Sequence, residues 1–301
     1  MTSAPSLQDV ITYFDRKTIS ILDRYGPGPR VHYHTGLVDS PLGSHTSVPQ
    51  LKRALVEGQE LMLRQAVEAW DASTRLSGEI LDVGCGLGGG AIFWAQEFSA
   101  EVTAVTCVPS HGELVARFAT EAGVGSKVRP LVCDAALVPG ENRFDAVVAV
   151  DSSGYLARDE WFARMAALLR PGGSVFIIDC FLEDLRYAEL FNRHWRTRIG
   201  TIGEYRAAAR ESGLRSEAIA DVTGRTVHFW TTTLALMEAE SKSAGGAATD
   251  ENRYAASRQA HGMVRDGLMN GGLRYALIAF AKGSGRNARI QPSFSAVEIS
   301  S

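Results

Sequence analysis

The sequence predicts an α/β protein with a doubly wound parallel sheet. Two observations carry that reading. Ile80–Val83 is a short apolar run that enters Gly84-Cys85-Gly86-Leu87-Gly88-Gly89-Gly90 and then, from about Gly90, an apolar helical segment through Ala95. Further apolar runs at Val102–Val105, Val128–Val132, Phe144–Val150 and Ser174–Asp179 recur, separated by helical or turn-rich segments. Alternation of strands and helices places parallel strands side by side with helices on both faces.

The glycine turn is the most informative stretch. Five of the seven residues 84–90 are glycine. Without a Cβ the backbone turns tightly and approaches a ligand closely, which suits a nucleoside held outside the carboxyl end of a parallel strand. The spacing Gly84-x-Gly86-x-x-Gly89 also occurs in dinucleotide-binding proteins. Asp82 argues against that class, because it stands where a nicotinamide site has an apolar residue. A nicotinamide site also needs an acid about 20 residues on, and this chain has Ala104-Val105-Thr106 there. A buried carboxylate needs a partner; the ammonium of a methionine-like ligand meets that need, directly or through water.

Taken in order, Leu7–Tyr25 has helical spacing, with Val10, Ile11, Phe14, Ile19, Ile21 and Leu22 on roughly one face and Ser6 as its cap. Gly26-Pro27-Gly28-Pro29 breaks it. The loop Val31-His32-Tyr33-His34-Thr35-Gly36-Leu37 is rich in ring side chains, which either pack the arm on the domain or face a ligand. Ser47–Ala72 is a helix leading into the first strand, and Gly112–Ala122 is the helix before the third. Trp161–Leu169 is a helix, Arg170-Pro171-Gly172-Gly173 a turn, and Ser174–Asp179 the next strand. Phe181–Arg198 reads as an inserted helix carrying Phe181, Tyr187, Phe191, His194 and Trp195, with arginines at 186, 193, 196 and 198; it either covers a substrate or lies amphipathic on the surface. Thr201–Ser212 is a helix; Arg215–Asp221 and Thr226–Thr233 suggest a strand and the start of another helix. Lys242–Asp250 has loop composition, Tyr254–Met269 is helical, and Gly271-Gly272 turns into a last strand, Leu273–Ala281. The polar tail from Gly283 reads as disordered.

Composition sets bounds. A net charge of −3 opposes a nucleic-acid partner held by phosphate contacts. No apolar run reaches the roughly 18 residues of a membrane span, and the start Met1-Thr2-Ser3-Ala4-Pro5 lacks a signal peptide's features. Cys85, Cys107, Cys133 and Cys180 have no CxxC spacing and sit at or after strands, as small core or pocket residues. A cytoplasmic protein with reduced thiols is expected.

With these residues in view, the stretch from about 75 to 180 resembles the class I S-adenosylmethionine-dependent methyltransferases. Tyr13-Phe14-Asp15 followed by His32-Tyr33-His34-Thr35-Gly36 resembles, more narrowly, the N-terminal region of the sterol, prenyl diphosphate and cyclopropane-forming C-methyltransferases. The resemblance implies a seven-stranded, mostly parallel sheet whose antiparallel strand is Leu273–Ala281, with S-adenosylmethionine as cofactor. It implies an arm over residues 1–46 that acts as a lid, or as an element exchanged within a homo-oligomer. A methyltransferase domain over 47–282 follows, with cover helices at about 181–212, and then a tail over 283–301. Cofactor contacts are implied for Tyr33, Asp82, Gly84, Gly86, Thr106, Cys107, His111, Asp134, Ala135 and Asp151. Among these, Asp134 accepts a hydrogen bond from the adenine amino group. Thr106 stands at a strand end where many methyltransferases carry an acid and the alkene-methylating families carry Thr, and His111 stands where those families have an amide. The catalytic roles implied are Tyr33 and Phe191 as aromatic faces and Asp151 as the carboxylate facing a cation; Asp151 is one methylene shorter than the usual Glu.

The function expected is methyl transfer to a carbon of a small apolar prenyl-type acceptor. The alternative is O- or N-methylation of a small metabolite with His34 or His194 as base. A cofactor-binding fold that only cyclises its ligand is a further class.

Overall fold

The computed structural model describes residues 6–243 and 251–284. Seven strands form one sheet: β1 (Glu79–Val83), β2 (Glu101–Thr106), β3 (Val128–Val132), β4 (Phe144–Val150), β5 (Leu169–Leu182), β6 (Leu214–Asp221) and β7 (Leu273–Lys282). Their spatial order is β3-β2-β1-β4-β5-β7-β6, and β7 runs antiparallel to both neighbours. The winding direction reverses between β1 and β4, which pair in parallel through Ile80↔Ala146 and Val83↔Ala149. That switch point opens a crevice at the carboxyl ends of the two strands, where ligands of open α/β sheets bind.

The central strands are buried on both faces, so they are continuously apolar rather than alternating. Ile80, Leu81 and Val83 are all buried, and so is the run Val175–Ile178. On one face Trp70 stacks on Phe176, with ring centroids 4.8 Å apart. On the other, Phe162 meets Phe280 edge to face at 5.4 Å.

Nine helices are described: α1 (Leu7–Tyr25), α2 (Val48–Trp70), α3 (Gly89–Glu97), α4 (Pro109–Glu121), α5 (Arg158–Leu168), α6 (Ala188–Trp195), α7 (Ile202–Glu211), α8 (Thr223–Ser243) and α9 (Glu251–Met269). The expected α1 forms over the expected span. Ser6 caps it: its hydroxyl accepts from the Asp9 backbone N–H, and Asp9 accepts from the Ser6 N–H in return. Ile19 does not share the buried face, being 81% exposed. It lies nine residues from buried Val10, which at 3.6 residues per turn is half a turn out of phase.

Three boundaries differ from the sequence reading. The segment 181–198 is not one helix. Phe181 and Leu182 continue β5, paired with Arg274 and Leu273 of β7, and Phe181 is fully buried. Cross-strand pairing and burial decide its state over helical spacing. The cover helix is therefore the short α6, ended by Arg196 in the left-handed region at φ 55. Residues 170–173 lie within β5 beside a register shift rather than in a free turn. α4 starts at Pro109, whose missing N–H costs nothing at the first helical position. The expected loop at 242–250 and the tail from 283 fall almost wholly outside the described residues. No described helix is long and apolar enough to cross a membrane. All four cysteines are free thiols.

The Trp70–Phe176 stack ties α2 to the sheet centre. Phe176→Ala is expected to lower unfolding free energy by about 3–5 kcal/mol, measured from the urea transition of the ligand-free protein.

Candidate active site

A cavity of about 430 Å³ lies at the carboxyl ends of β1, β2, β4 and β5. Its roof comes from α1 (Leu7, Val10, Phe14, Ile21, Tyr25), the loop 31–35, and residues of α6, α8 and α9. Every residue expected from the sequence lines it: Tyr33, Asp82, Gly84, Gly86, Thr106, Cys107, His111, Asp134, Ala135, Asp151 and Phe191.

One half is shaped by the glycine turn. Gly84 and Gly86 have φ of 69° and 54°, in the left-handed region that glycine enters at no steric cost. A Cβ at Gly84 would lie 2.6 Å from the Ser152 Cβ. At Gly86 the same direction is open space, so bare backbone faces the cavity. Asp82 is 3% exposed, and its Oδ2 has no hydrogen-bond partner. Burial alone pushes its carboxyl up to about 7. At the end of β3, Asp134 accepts from the Ala136 N–H at 2.9 Å and so fixes the following turn. Thr106 Oγ1 accepts from the Val108 N–H at 3.2 Å. The strand-end threonine therefore shapes its own turn as well as lining the cavity.

His111 has a task that its sequence position did not show. Thr18 of α1 donates its hydroxyl proton to the Phe14 carbonyl, and its oxygen lies 2.9 Å from His111 Nε2. With the threonine proton spent, the imidazole Nε2–H is the donor in that contact. Burial drives the His111 pKa down to about 4, so the ring is neutral. It ties the N-terminal arm to α4 at the cavity edge.

The other half gathers aromatic rings around carboxylates. Asp151, just past β4, has φ 47°. Its Oδ1 accepts from the Tyr275 hydroxyl, and its Oδ2 accepts from the Thr35 N–H at 2.7 Å. Asp179, 9% exposed, accepts from the hydroxyl and N–H of Ser153. Tyr33 packs against Phe14 and Tyr25 at 6.4 and 6.1 Å, and burial raises its phenol pKa well above the ordinary value. Phe191 and Trp195 lie 4.7 Å apart on α6, and Trp195 meets Trp230 of α8 at 6.0 Å. His34 donates Nδ1–H to the Thr35 carbonyl at 2.8 Å, and its Nε2 contacts His32. Burial lowers its pKa to about 3 and that of His194 to about 4, so both are poor bases.

The cavity also holds Tyr155, Asp179, Phe229, Trp230, His261 and Tyr275, which the sequence reading did not single out. Asp179 had a signal, as the acid at the end of a recognised strand. The others come from α8, α9, β7 and the turn after β4, and only packing brings them here.

Comparisons with known proteins agree with this geometry. Residues 80–173 match a family described as a methyltransferase domain. The chain is 26% identical over 243 residues to a geranyl diphosphate 2-C-methyltransferase of Streptomyces lasalocidi, covering 76% of this chain and 80% of that protein. A solved geranyl diphosphate methyltransferase, in complex with GPP and sinefungin, superposes with a TM-score of 0.74 at 21% identity, over 92% of this chain and 99% of that one. The [4+2]-cyclase SpnF superposes with a TM-score of 0.72 at 23% identity, over 95% and 99%. With its switch-point cavity and glycine turn, the chain carries a methyltransferase domain over residues 80–173. Over most of its length it is similar to the geranyl diphosphate methyltransferases.

The unpartnered Asp82 has a measurable consequence. Its folded pKa lies above its unfolded value, so between the two the native state binds the extra proton. Asp82 therefore costs stability as pH rises from about 4 toward about 7. In urea unfolding of the ligand-free protein, Asp82→Asn is expected to gain stability relative to the parent as pH goes from 5 to 7.5. A pH-independent difference would show that Asp82 is already partnered.

Proposed function

We propose that this protein transfers the methyl group of S-adenosylmethionine to a carbon of an uncharged, prenyl-type alkene, through a cation that cyclises or loses a proton. The single observation that carries this reading is the wall of the acceptor half. It combines aromatic faces at Tyr33, Phe191, Trp195 and Trp230 with the buried carboxylate of Asp151.

The cavity fits the cofactor on its own features. The orphaned Asp82 Oδ2 suits the ammonium, the open backbone at Gly86 suits the methionine chain, and Asp134 beside Ala135 suits the adenine edge. When bound, S-adenosylmethionine supplies an electrophilic methyl group. The protein's tasks are then to align the acceptor, exclude water and complement charge. Arm residues Phe14, Ile21 and Tyr25 close the cavity from solvent. Tyr275 and the Thr35 N–H hold the Asp151 carboxylate in one orientation.

Magnitudes rank the groups. An aromatic face gives a cation about 0.5–2 kcal/mol. A unit negative charge 4 Å away gives about 4 kcal/mol at a protein-like effective dielectric. Asp151 is thus the dominant group, and the rings shape the path of the cation.

The acceptor is uncharged. Arg186 is 84% exposed and paired with Asp184, and Arg193 lies near Glu189 on the outer face of α6. Among the described residues that line the cavity, Arg198 is the one permanent cation, against Asp82, Asp134, Asp151, Glu160 and Asp179. A diphosphate needs several charge-assisted donors. The relatives named for geranyl diphosphate thus share the fold, whereas this chain takes a neutral prenyl compound. Localisation in the cytoplasm accords with four free thiols.

The arm, residues 1–46, acts as a lid on the domain at 47–282. The apolar Ile19 on its outer side offers a contact to a second subunit.

Calorimetry should show micromolar-range binding of S-adenosylmethionine, abolished by Gly86→Val. With a labelled methyl donor, the label is expected on carbon; label on oxygen or nitrogen overturns the reading, and product without label moves the protein to the cyclases. Asp151→Asn is expected to lower kcat by about 100-fold or more, the loss of roughly 3–4 kcal/mol. Tyr33→Phe keeps the ring and costs about fivefold, the worth of one hydrogen bond. Deleting residues 1–28 should lower turnover, and sedimentation of that variant reports whether the arm also joins subunits.

A further inference from the structure

We propose that Asp179 is a second site carboxylate that shares one proton with Asp151, and that this pair responds to the charge on the cofactor's sulfur. The inference rests on the S-adenosylmethionine reading above. β4 and β5 are parallel with Val150 opposite Ile178, so Asp151, just past the end of β4, comes beside Asp179 within β5. The Asp151 N–H donates to the Ile178 carbonyl at 2.8 Å, which locks that register past the end of β4. Both side chains line the cavity.

All their recorded partners are neutral. Asp151 is held by Tyr275 and the Thr35 N–H. Asp179 is held by Ser153 and, at 2.8 Å, the Cys180 N–H; Ser153 in turn contacts the Tyr205 hydroxyl at 2.9 Å. No ion pair among the described residues involves either acid. The titratable groups packed around them come from every side: Tyr275 of β7, Tyr155 of the turn after β4, Tyr205 of α7, Cys180 of β5, Cys107 beyond β2, and Tyr33 and His34 of the N-terminal loop. Burial pushes these phenols and thiols up and the His34 imidazole down to about 3, so none carries charge at neutral pH. Arg158 stacks on Tyr205 but directs its donors to the Arg198 carbonyl and Glu204, and it does not line the cavity. Glu160 and Arg198 lie exposed at the rim.

Two carboxylates side by side in such surroundings do not both ionise readily. Burial and mutual repulsion raise the titration of the pair above the ordinary carboxylate range, as macroscopic steps of the two together. A sulfonium near the pair supplies the missing positive charge, so its binding drives a proton off. After methyl transfer the charge is on the acceptor carbon. When a neighbouring C–H bond breaks there, its electron pair becomes the new C=C bond and the proton goes to the carboxylate pair. Asp179 thus lets the site accept a proton and removes the attraction for the demethylated cofactor in the same step.

The test uses the full chain and two probes, S-adenosylmethionine and S-adenosylhomocysteine, which differ by a methyl group and one positive charge. Calorimetry from pH 5.5 to 8, in two buffers of different ionisation enthalpy, reads affinity and protons released. The ratio of the two affinities is expected to rise with pH, by at most about tenfold per unit per proton, with more protons released by S-adenosylmethionine. Asp82 faces the part common to both probes and cancels from the ratio. In Asp179→Asn, Asp151 has no charged neighbour and titrates lower, so the ratio should flatten over this range. An affinity ratio independent of pH in the parent, or unchanged in its pH dependence by Asp179→Asn, overturns the proposal. The proton count on the parent stands even if the variant fails to fold. Failure of both probes to bind overturns the cofactor reading itself and this inference with it.

Discussion

Three acids on adjacent strands, Asp82 and Asp179 buried and Asp151 partly buried, set the terms for the rest of the molecule. Asp82 in β1, Asp151 after β4 and Asp179 in β5 all face one cavity, and none has a basic partner among the described residues. Taking a carboxylate out of water without a counter-charge is costly. The fold tolerates it because the large apolar sheet, buried on both faces, supplies stability elsewhere. The result is a site that favours positively charged ligands.

Closure of the cavity follows from the same constraint. A carboxylate acts strongly on a cation only where water is kept out. The N-terminal arm covers the cavity with Val10, Phe14, Ile21 and Tyr25, and polar links add to that apolar packing. Thr18 meets His111, Asp15 accepts from Ser110 at 2.8 Å, and Arg24 pairs with Glu240 at 2.7 Å. The partly exposed Arg24–Glu240 pair is worth up to about 1 kcal/mol. The loop behind the arm also couples closure to the chemistry, because the Thr35 N–H that orients Asp151 belongs to that loop.

The acceptor half shows how one fold is turned to a particular substrate. The sheet and glycine turn are general features of class I methyltransferases. The rings come from α6, α8 and the N-terminal loop, which lie outside the strand–turn–helix repeats. Arg186, just before α6, and Arg193 on it are exposed and lie beside acids.

Much of this was legible in the linear chain. The strands of the sheet core, the glycine turn, Asp82 as a buried acid and the span of α1 are local patterns: apolar runs, a cap residue, a breaker, a period of 3.6. They depend on neighbours a few residues apart, so the sequence alone determined them. The carboxylate after the fourth strand and Tyr33 were legible only through their place in a family order. Tertiary structure decided the rest. Phe181 joined a strand because β7, about ninety residues later, offers it a partner. His111 became a tether because Thr18 packs on it across the chain. Asp179 became a neighbour of Asp151 because β4 and β5 lie in one register, and Tyr275 reached Asp151 because β7 is inserted antiparallel beside β5. Pairing and burial between distant segments have no signature in local spacing, and the proton-sharing chemistry of the site arises from those pairings.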